Sequence, residues 1–185
     1  TDVDWVVRRN FGGADNMEDI IQKFQVGLPL EEDELMEEPP NSLELIRESL
    51  KSGISDVGRF LLLMTEGESG IVNDILFERG VLEREDTTVI AGSMFAGDSV
   101  FSNTCRDVHR VKSCMETGRT VVLLFCDHIF ECLYDLLNKY WTVFSGQRYV
   151  ELGLGQERGQ CKIDPKFRLI VVEKKDHVLK EYAIP

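Results

Sequence analysis

The chain is poor in basic residues and has no long hydrophobic run, and each shortage disfavours a class of protein. It holds 21 lysines and arginines against 33 aspartates and glutamates, a net charge of -12. Such a surface repels nucleic acids and anionic membranes, so we expect no direct contact with either. No apolar stretch reaches the roughly 20 residues of a membrane-spanning helix. The composition therefore predicts a globular protein without a membrane-spanning segment.

The five cysteines lack the pairing that a disulfide framework or a metal site would show. Their number is odd and none forms a C-x-x-C pair. Most fall on apolar faces, as reduced core cysteines of intracellular proteins do, so we predict a cytoplasmic protein. The set Cys126, His128 and Cys132 matches no standard zinc spacing, and no metal site is predicted.

Acidic residues crowd into one proline-bounded stretch near the start of the chain. Six of the eight residues from Glu31 to Glu38 are acidic, and prolines stand on both sides. This composition is typical of a solvated linker. We predict a linker at 28–41, which separates residues 1–27 from a folded domain at 42–185.

Four short apolar segments alternate with helical patterns across that domain. They lie near 60–64, 87–91, 120–125 and 167–173. Apolar runs of this length fit strands that are buried on both faces. Strands that alternate with helices form a parallel sheet with right-handed crossovers. The fold class is therefore predicted to be α/β.

Further patterns predict three helices and a hairpin. Asn41 with a capping-box pattern predicts a helix at 42–51. Periodic apolar residues predict helices at 99–117 and 127–141. Glycines within 148–163 are followed by no helical pattern, so a hairpin is expected there rather than a dinucleotide fingerprint.

The segment after the first strand has the frame of a phosphate-binding loop. Strand, small-residue turn and helix follow one another, as in the pattern G-x-x-x-x-G-K-[S/T]. The chain reads TEGESGIV at these positions. Gly70 matches the second glycine, whereas Thr65 replaces the first. Ile71 stands in place of the lysine and Val72 in place of the magnesium-binding hydroxyl.

Two interpretations of this loop stay open. Backbone N–H groups could still hold a phosphate at the helix start, although Glu66 and Glu68 bring negative charge there. The candidate ligand-binding residues of the loop are Thr65, Glu66, Gly67, Ser69 and Gly70. The alternative is a strand–turn–helix connection that binds no ligand.

Two carboxylates follow the third strand. A phosphate-loop ATPase ends this strand with an Asp-Glu pair, which holds magnesium and polarises the attacking water. Here Phe125 and Cys126 follow instead, then Asp127 and His128. Asp127 is a candidate displaced metal ligand, and Glu131, one turn on, is a candidate for polarising water. Alternatively, Asp127 only caps the helix and Glu131 is an ordinary helix residue.

The fourth strand ends in the charged segment 173–177. Open α/β sheets bind ligands at the carboxyl ends of their strands. Glu173 and Lys174 are therefore candidate ligand-binding residues. A small hydrolase that uses His109 or His128 is a remote alternative, because no nucleophile–base motif accompanies either.

Several long stretches resemble one family. They are CRDVHRVKSCMETGRTVVLL, LYDLLNKYW, GQRYVELGLG and FRLIVVEKKDHV, at 105–124, 133–141, 146–155 and 167–178. From about Arg59 to Pro185 the chain resembles the mysterin-type family of giant AAA+ ATPases, which are also RING-finger E3 ubiquitin-protein ligases. The likeness is weaker before Arg59, where only VVRRNFGG at 6–13 is similar to the family.

The resemblance implies a fold and an assembly. It implies a three-layer AAA+ sandwich, similar to the phosphate-loop NTPases, with residues 42–185 forming most of one large subdomain. Residues 1–27 would end the lid of a preceding unit, and a fifth strand and a lid would follow Pro185. The family joins six AAA+ units in one chain, so neighbouring units would be partners. Ubiquitin and an E2 enzyme would bind through distant domains, the RING finger included.

The resemblance also implies ATP and magnesium as cofactors, and lipid droplets beside the cytosol as a location. This unit would be among the two of six that are considered ATPase-active. Relatives carry a lysine at the position that matches Glu66 and a glutamate at that of Glu131; only the glutamate is kept here. The predicted function is ATP binding and hydrolysis, or nucleotide-state communication, that supports ubiquitin transfer. The alternative is a catalytically silent module that scaffolds the ring.

Overall fold

The computed structural model divides the chain into two compact units, Thr1–Ser49 and Leu50–Pro185. It describes residues 4, 6–8, 16–26, 41–51, 60–67, 69–93, 101–154 and 157–181. The predicted linker at 28–41 lies outside these residues, Asn41 excepted, and stays a prediction.

In the first compact unit, charged pairs accompany helix α1 (Met17–Val26). Ile21 is its buried residue. Arg8 contacts Asp4 at 2.8 Å and Glu18 at 2.9 Å, so one guanidinium joins a carboxylate four residues earlier to the start of α1.

Helix α2 (Ser42–Lys51) has the cap that its sequence predicts. Oδ1 of Asn41 accepts hydrogen bonds from the backbone N–H groups of Leu43, at 2.7 Å, and Glu44, at 3.3 Å. Oε2 of Glu44 accepts in return from the N–H of Asn41 at 3.2 Å. This reciprocal pair is a capping box, and the prediction is confirmed.

The second compact unit is built on a four-stranded parallel sheet. The strands are β1 (Leu61–Thr65), β2 (Thr87–Ala91), β3 (Thr120–Leu124) and β7 (Arg168–Lys174). In the sheet the order is β1-β7-β3-β2, and every neighbouring pair is parallel. Val121, Val122, Ile170 and Val172 are fully buried, which explains why the inner strands are continuous apolar runs. The predicted α/β class with a parallel sheet is confirmed.

Three helices accompany this sheet: α3 (Ser69–Glu78), α4 (Phe101–Thr117) and α7 (Lys175–Glu181). Helices α3 and α7 contact β7, whereas α4 contacts β3. Helix α3 ends at a left-handed glycine, Gly80, with φ +62°.

The single helix predicted at 127–141 is wrong. The structure has two short helices, α5 (Asp127–Phe130) and α6 (Tyr134–Leu137), with a turn between them. The carbonyl of Cys132 accepts a hydrogen bond from the N–H of Gly153 at 3.0 Å, so a distant strand binds a group that a continuous helix would use. Lys139, at φ +58°, then turns the backbone away from a helical path.

A three-stranded antiparallel sheet lies between β3 and β7 in sequence. Its strands are β4 (Thr142–Phe144), β5 (Gln147–Leu154) and β6 (Glu157–Ile163), in that order. The predicted hairpin corresponds to β5 and β6 and is confirmed. Strand β4 was not predicted; its three residues lie between the helix predicted at 127–141 and the hairpin predicted at 148–163.

Helix α4 joins the two sheets through one core. It contacts β3, β5 and β6. Val111 and Met115 of α4 are fully buried with Leu152 of β5 and Phe167. The ring of Phe167 meets that of Phe60 edge to face, with centroids 6.2 Å apart. The small sheet is therefore part of the core rather than a surface appendage.

Candidate functional site

The carboxyl ends of β1 and β7 bring the predicted loop and the predicted charged segment together. Thr65 is paired with Lys174, and Met64 with Glu173. The N–H of Phe125, just after β3, donates to the carbonyl of Val172 at 3.2 Å. Three of the segments singled out in the sequence therefore meet at one edge of the sheet, where open α/β sheets bind ligands.

The loop between β1 and α3 leaves open space beside its glycines. Thr65 ends β1, Glu66 and Gly67 form an exposed bend, and α3 begins at Ser69. A Cβ added at Gly67 or Gly70 would meet no atom within 4 Å, and neither glycine has a left-handed φ. The fold alone therefore requires glycine at neither position.

Ile71 stands at the position of the missing lysine. Its side chain is 56% exposed, so the loop presents an apolar group to solvent where phosphate-loop ATPases present a cation.

A lysine that directly follows β7 contacts the loop. Nζ of Lys175, the first residue of α7, lies 3.2 Å from Oε1 of Glu66. The Lys175 side chain is only 19% exposed, whereas that of Glu66 is 79% exposed. The predicted candidate, Lys174, is exposed, and its Nζ lies 5.8 Å from the ring centroid of Phe125. The sequence contained both lysines in one charged segment, and the side-chain contact in the structure shows that Lys175 is the one paired with Glu66.

Glu173 is a buried carboxylate at the same edge. It is 1% exposed, and its Oε2 lies 3.3 Å from Nδ1 of His177, one helical turn on. Oε1 has no hydrogen-bond partner among the described residues. Burying a carboxylate oxygen without a partner is unfavourable, and such groups are rare in folded proteins. Among the predicted site residues that the structure describes, Glu173 is the one that is buried and has a side-chain oxygen without a described partner.

Asp127 and Glu131 both lie on α5, beyond the end of β3. Asp127 is the first residue of the helix rather than its N-cap, so the prediction that Asp127 caps the helix is wrong. The N-cap is Cys126, whose side chain makes no capping hydrogen bond. Oδ1 of Asp127 instead accepts from the N–H of His128 at 3.0 Å. Glu131 is exposed at the end of α5. Among the residues that the structure describes, no hydrogen bond or ion pair joins either carboxylate to the loop.

A buried carboxylate that sequence reasoning did not find lies on α4. Asp107 is 7% exposed. Its Oδ2 lies 3.6 Å from Nε2 of His128, and its Oδ1 lies 3.5 Å from Nη1 of Arg110. Nη2 of Arg110 also donates to the carbonyl of Val89 in β2 at 3.2 Å. Asp107 therefore ties α4 to β2 and to α5. An aspartate in the middle of a helical pattern gave no signal of this role.

Cys126 is buried beside this carboxylate and is not a nucleophile. Burial, and next the charge of Asp107, raise the pKa of the Cys126 thiol from 9.0 to about 12. The thiol donates to the carbonyls of Ile90 and Leu124, at 3.2 and 3.3 Å. A thiol that stays protonated at neutral pH is inert as a nucleophile. Across the described part of the chain, no group of three or more His, Cys, Asp or Glu side chains could hold a metal ion.

Comparison with known proteins identifies the family. A family model described as RNF213 AAA domain matches residues 50–185. The chain belongs to the RNF213 AAA family. The chain is similar to the zebrafish (Danio rerio) protein named E3 ubiquitin-protein ligase rnf213-beta, with 37% identity over 97% of this chain. The mouse (Mus musculus) and human (Homo sapiens) proteins named E3 ubiquitin-protein ligase RNF213 are 36% and 35% identical over the whole chain.

The RNF213 relatives are far longer than this chain, which spans about 4% of each. The resemblance drawn from the sequence motifs is confirmed, and so is the AAA-type fold. The chain is thus related to the AAA region of giant E3 ubiquitin ligases. No helix within the described ranges is long and apolar enough to cross a membrane.

Membership of the RNF213 AAA family implies a nucleotide, and the residues present fit it only in part. The open space at Gly67 and Gly70 suits a phosphate beside the loop backbone. The side chains do not suit magnesium triphosphate as phosphate-loop ATPases hold it. Ile71 replaces the lysine, Phe125 and Cys126 replace the carboxylates after β3, and Glu66 adds a negative charge. No catalytic step through magnesium ATP follows from this site.

Proposed function

We propose that this chain is a module of the AAA+ ring of a giant E3 ubiquitin ligase, and that it does not hydrolyse ATP. It would support ubiquitin transfer through packing against neighbouring AAA+ units and through communication of their nucleotide state. The observation that carries the proposal is the exposed Ile71 at the lysine position, in a loop whose Glu66 is paired with Lys175.

The proposal has an electrostatic basis. Phosphoryl transfer depends on positive charge that stabilises the γ-phosphate and the leaving group. The loop offers an apolar side chain and a carboxylate at those positions. The buried Asp107 and the inner strands, by contrast, make a well-packed module that suits a structural role.

A second candidate is a unit that hydrolyses ATP with displaced residues. Asp127 would then bind magnesium, and Glu131 would polarise the water. Both carboxylates are exposed to solvent, and neither has an ion-pair partner among the described residues, so both are accessible. Glu173 and Lys174 would contact the nucleotide from β7.

The wider setting is proposed from the relatives. The relatives' names as E3 ubiquitin-protein ligases support the proposal of a ligase. We further propose that the whole protein is cytosolic and that ubiquitin and an E2 enzyme bind elsewhere in it. For this chain, the direct partners would be the adjacent AAA+ units.

Phosphate release from magnesium ATP separates the two candidates. The purified 185-residue chain would be compared with the double variant Asp127→Asn, Glu131→Gln, with circular dichroism as the check that both are folded. We expect equal release from both, at the level of buffer. Turnover by the parent that the double variant loses would contradict the proposal and establish the second candidate. The same comparison in a longer protein that contains this chain would test its contribution within a ring.

A further inference from the structure

We propose that Arg110 and Arg119 guard the open edge of β2, and that this edge pairs with a second copy of the chain when both arginines are removed. The surface is the outward side of an edge strand, and its partner is the same strand of another molecule. The inference is independent of the proposed function, because neither arginine belongs to the loop after β1 or to the carboxylates of α5.

Strand β2 ends the four-stranded sheet. Among the described residues, no strand pairs with its outer side. Its sequence, TTVIA, carries no charge and is rich in the β-branched residues that favour strands. An unprotected edge of this kind promotes association between sheets, and proteins shield such edges with charged side chains, bulges or covering segments. The edge of β2 is therefore a surface to which another strand can add.

The register of β2 against β3 shows which backbone groups face outward. The N–H of Thr120 donates to the carbonyl of Asp86 at 2.9 Å, and the N–H of Gly92 donates to the carbonyl of Leu124 at 2.7 Å. Backbone groups of successive strand residues point to opposite sides, so the even-numbered residues pair with β3. The odd-numbered residues of β2 direct their N–H and carbonyl groups away from the sheet: Thr87, Val89 and Ala91.

Two arginine side chains occupy carbonyls along this edge. Nη2 of Arg110, on α4, donates to the carbonyl of Val89 at 3.2 Å. Nη2 of Arg119, between α4 and β3, donates to the carbonyl of Glu85, just before β2, at 2.7 Å. Arg110 is also paired with Asp107, whose Oδ1 lies 3.5 Å from its Nη1. Charged donors thus cover the edge at two places, one of them the middle of the strand.

A second copy fits this edge in an antiparallel pair around a two-fold axis. Val89 then lies opposite Val89 of the second copy, and Thr87 lies opposite its Ala91. Opposed residues of this kind exchange N–H···O hydrogen bonds, and the two-fold axis makes the interface self-complementary. The carbonyl of Val89 is the central acceptor of that pairing, and it is the one that Arg110 occupies. Arg110 and an added strand therefore compete for the same carbonyl.

Sedimentation velocity of the 185-residue chain with Arg110→Met and Arg119→Met tests the guard. Met keeps an unbranched side chain but has no N–H donor. The self-association constant should rise about tenfold for each arginine removed, which corresponds to one hydrogen bond from a charged group. The expected product is a dimer, because each copy has one such edge at β2. The parent should be monomeric over the same concentrations.

The matched control is the double variant Arg84→Met, Arg106→Met. The guanidinium of Arg84 lies over the ring of Phe77, 4.5 Å from its centroid, and Nε of Arg106 lies 3.8 Å from Oδ1 of Asp107. Neither arginine donates to the edge of β2 in the described part of the chain. Both double variants lose two positive charges from a chain of net charge -12, so the repulsion between copies rises equally in both. The control should stay monomeric.

Two further variants separate the edge from other effects. Val89→Pro, added to the Arg110 and Arg119 substitutions, removes an outward N–H but no hydrogen bond to β3, so it blocks strand addition and should restore the monomer. Arg119→Met alone leaves the ion pairs of Asp107 intact and should associate about tenfold more strongly than the parent. Circular dichroism checks that each variant is folded.

The outcomes are distinct. Dimerisation of the double variant that Val89→Pro abolishes supports the inference. A folded double variant or Arg119→Met that stays monomeric overturns it, and so does equal association of the control. Association that Val89→Pro leaves unchanged also overturns it, because another surface then joins the copies. No result depends on nucleotide or on ATP turnover, so a failure here leaves the proposed function standing.

Discussion

Nε2 of His128 lies 3.6 Å from Oδ2 of the buried Asp107. One residue is at the start of α5, just after β3, and the other is on α4, just before it in sequence. The same carboxylate forms an ion pair with Arg110, whose guanidinium donates a hydrogen bond to a backbone carbonyl of β2. A single aspartate therefore holds together three elements around the ends of β2 and β3.

Replacing this aspartate should destabilise the protein. Asp107→Ala leaves His128 and Arg110 without their carboxylate, and we expect the free energy of unfolding to fall by about 1–3 kcal/mol. The value stays below that of a fully buried ion pair because Arg110 is partly exposed. Urea denaturation followed by circular dichroism measures the change.

The matched control is Asp74→Ala, an exposed aspartate of α3. It should change the stability by less than about 0.5 kcal/mol. Equal effects of the two substitutions would show that the contacts of Asp107 contribute nothing to stability.

The buried thiol of Cys126 should make stability fall at alkaline pH. Its pKa is about 12 in the folded protein against 9.0 for a free thiol. Between these values the unfolded chain loses the proton and the folded chain keeps it, so ionisation favours the unfolded state. This stability is fully present below pH 9 and is lost as the pH rises toward 12.

The variant Cys126→Ala isolates this contribution from those of other titrating groups. Its unfolding free energy should fall less steeply than that of the parent over the same pH range. Parallel curves for parent and variant would contradict the prediction. At pH 8 the native Cys126 should also resist alkylation by iodoacetamide, as measured by mass spectrometry.

Removing the charge of Glu173 should stabilise the protein. One of its oxygens is buried and has no hydrogen-bond partner among the residues that the structure describes, and Gln keeps the size of the side chain without the charge. Glu173→Gln should raise the unfolding free energy by about 1 kcal/mol. Thermal unfolding measures this. A lower melting temperature would mean that the pair with His177 outweighs the desolvation of the carboxylate.

Gly92 should tolerate alanine poorly. A Cβ there would overlap the carbonyl oxygen of Phe125, a backbone atom that cannot move without shifting the end of β3. The N–H of Gly92 donates to the carbonyl of Leu124 at 2.7 Å, which holds the two backbones together. Gly92→Ala should lower the unfolding free energy by about 2–3 kcal/mol.

The control is Gly67→Ala, because a Cβ at Gly67 meets open space. Its unfolding free energy should stay within about 0.5 kcal/mol of the parent value. Similar stabilities of the Gly92 and Gly67 variants would show that the end of β2 adjusts freely.

The parallel sheet and the hairpin were predictable because local signals and burial agree in them. The apolar run at 120–125 and the strand β3 describe the same residues, since a strand buried on both faces must be apolar throughout. The cap of α2 was predictable for a similar reason. Asn41 and its capping-box partner lie three residues apart, and nothing distant alters their contact.

The errors arose where a distant segment decides the local structure. The break between α5 and α6 depends on Gly153, which hydrogen-bonds to Cys132 from 21 residues away. Likewise, the contact between Lys175 and Glu66 joins residues 109 positions apart, which the adjacent lysines in the sequence could not indicate. Such contacts leave no periodic pattern in the sequence, so they required the structure.

The direct passage of β7 into α7 has a mechanical consequence. A lysine on a loop could be displaced alone, but Lys175 lies at the junction of a central strand and a helix. Its backbone therefore cannot shift without also moving the start of α7 or the end of β7, which lies between β1 and β3. The exposed carboxylate of Glu66 is thus paired with a residue whose backbone is anchored to the middle of the sheet.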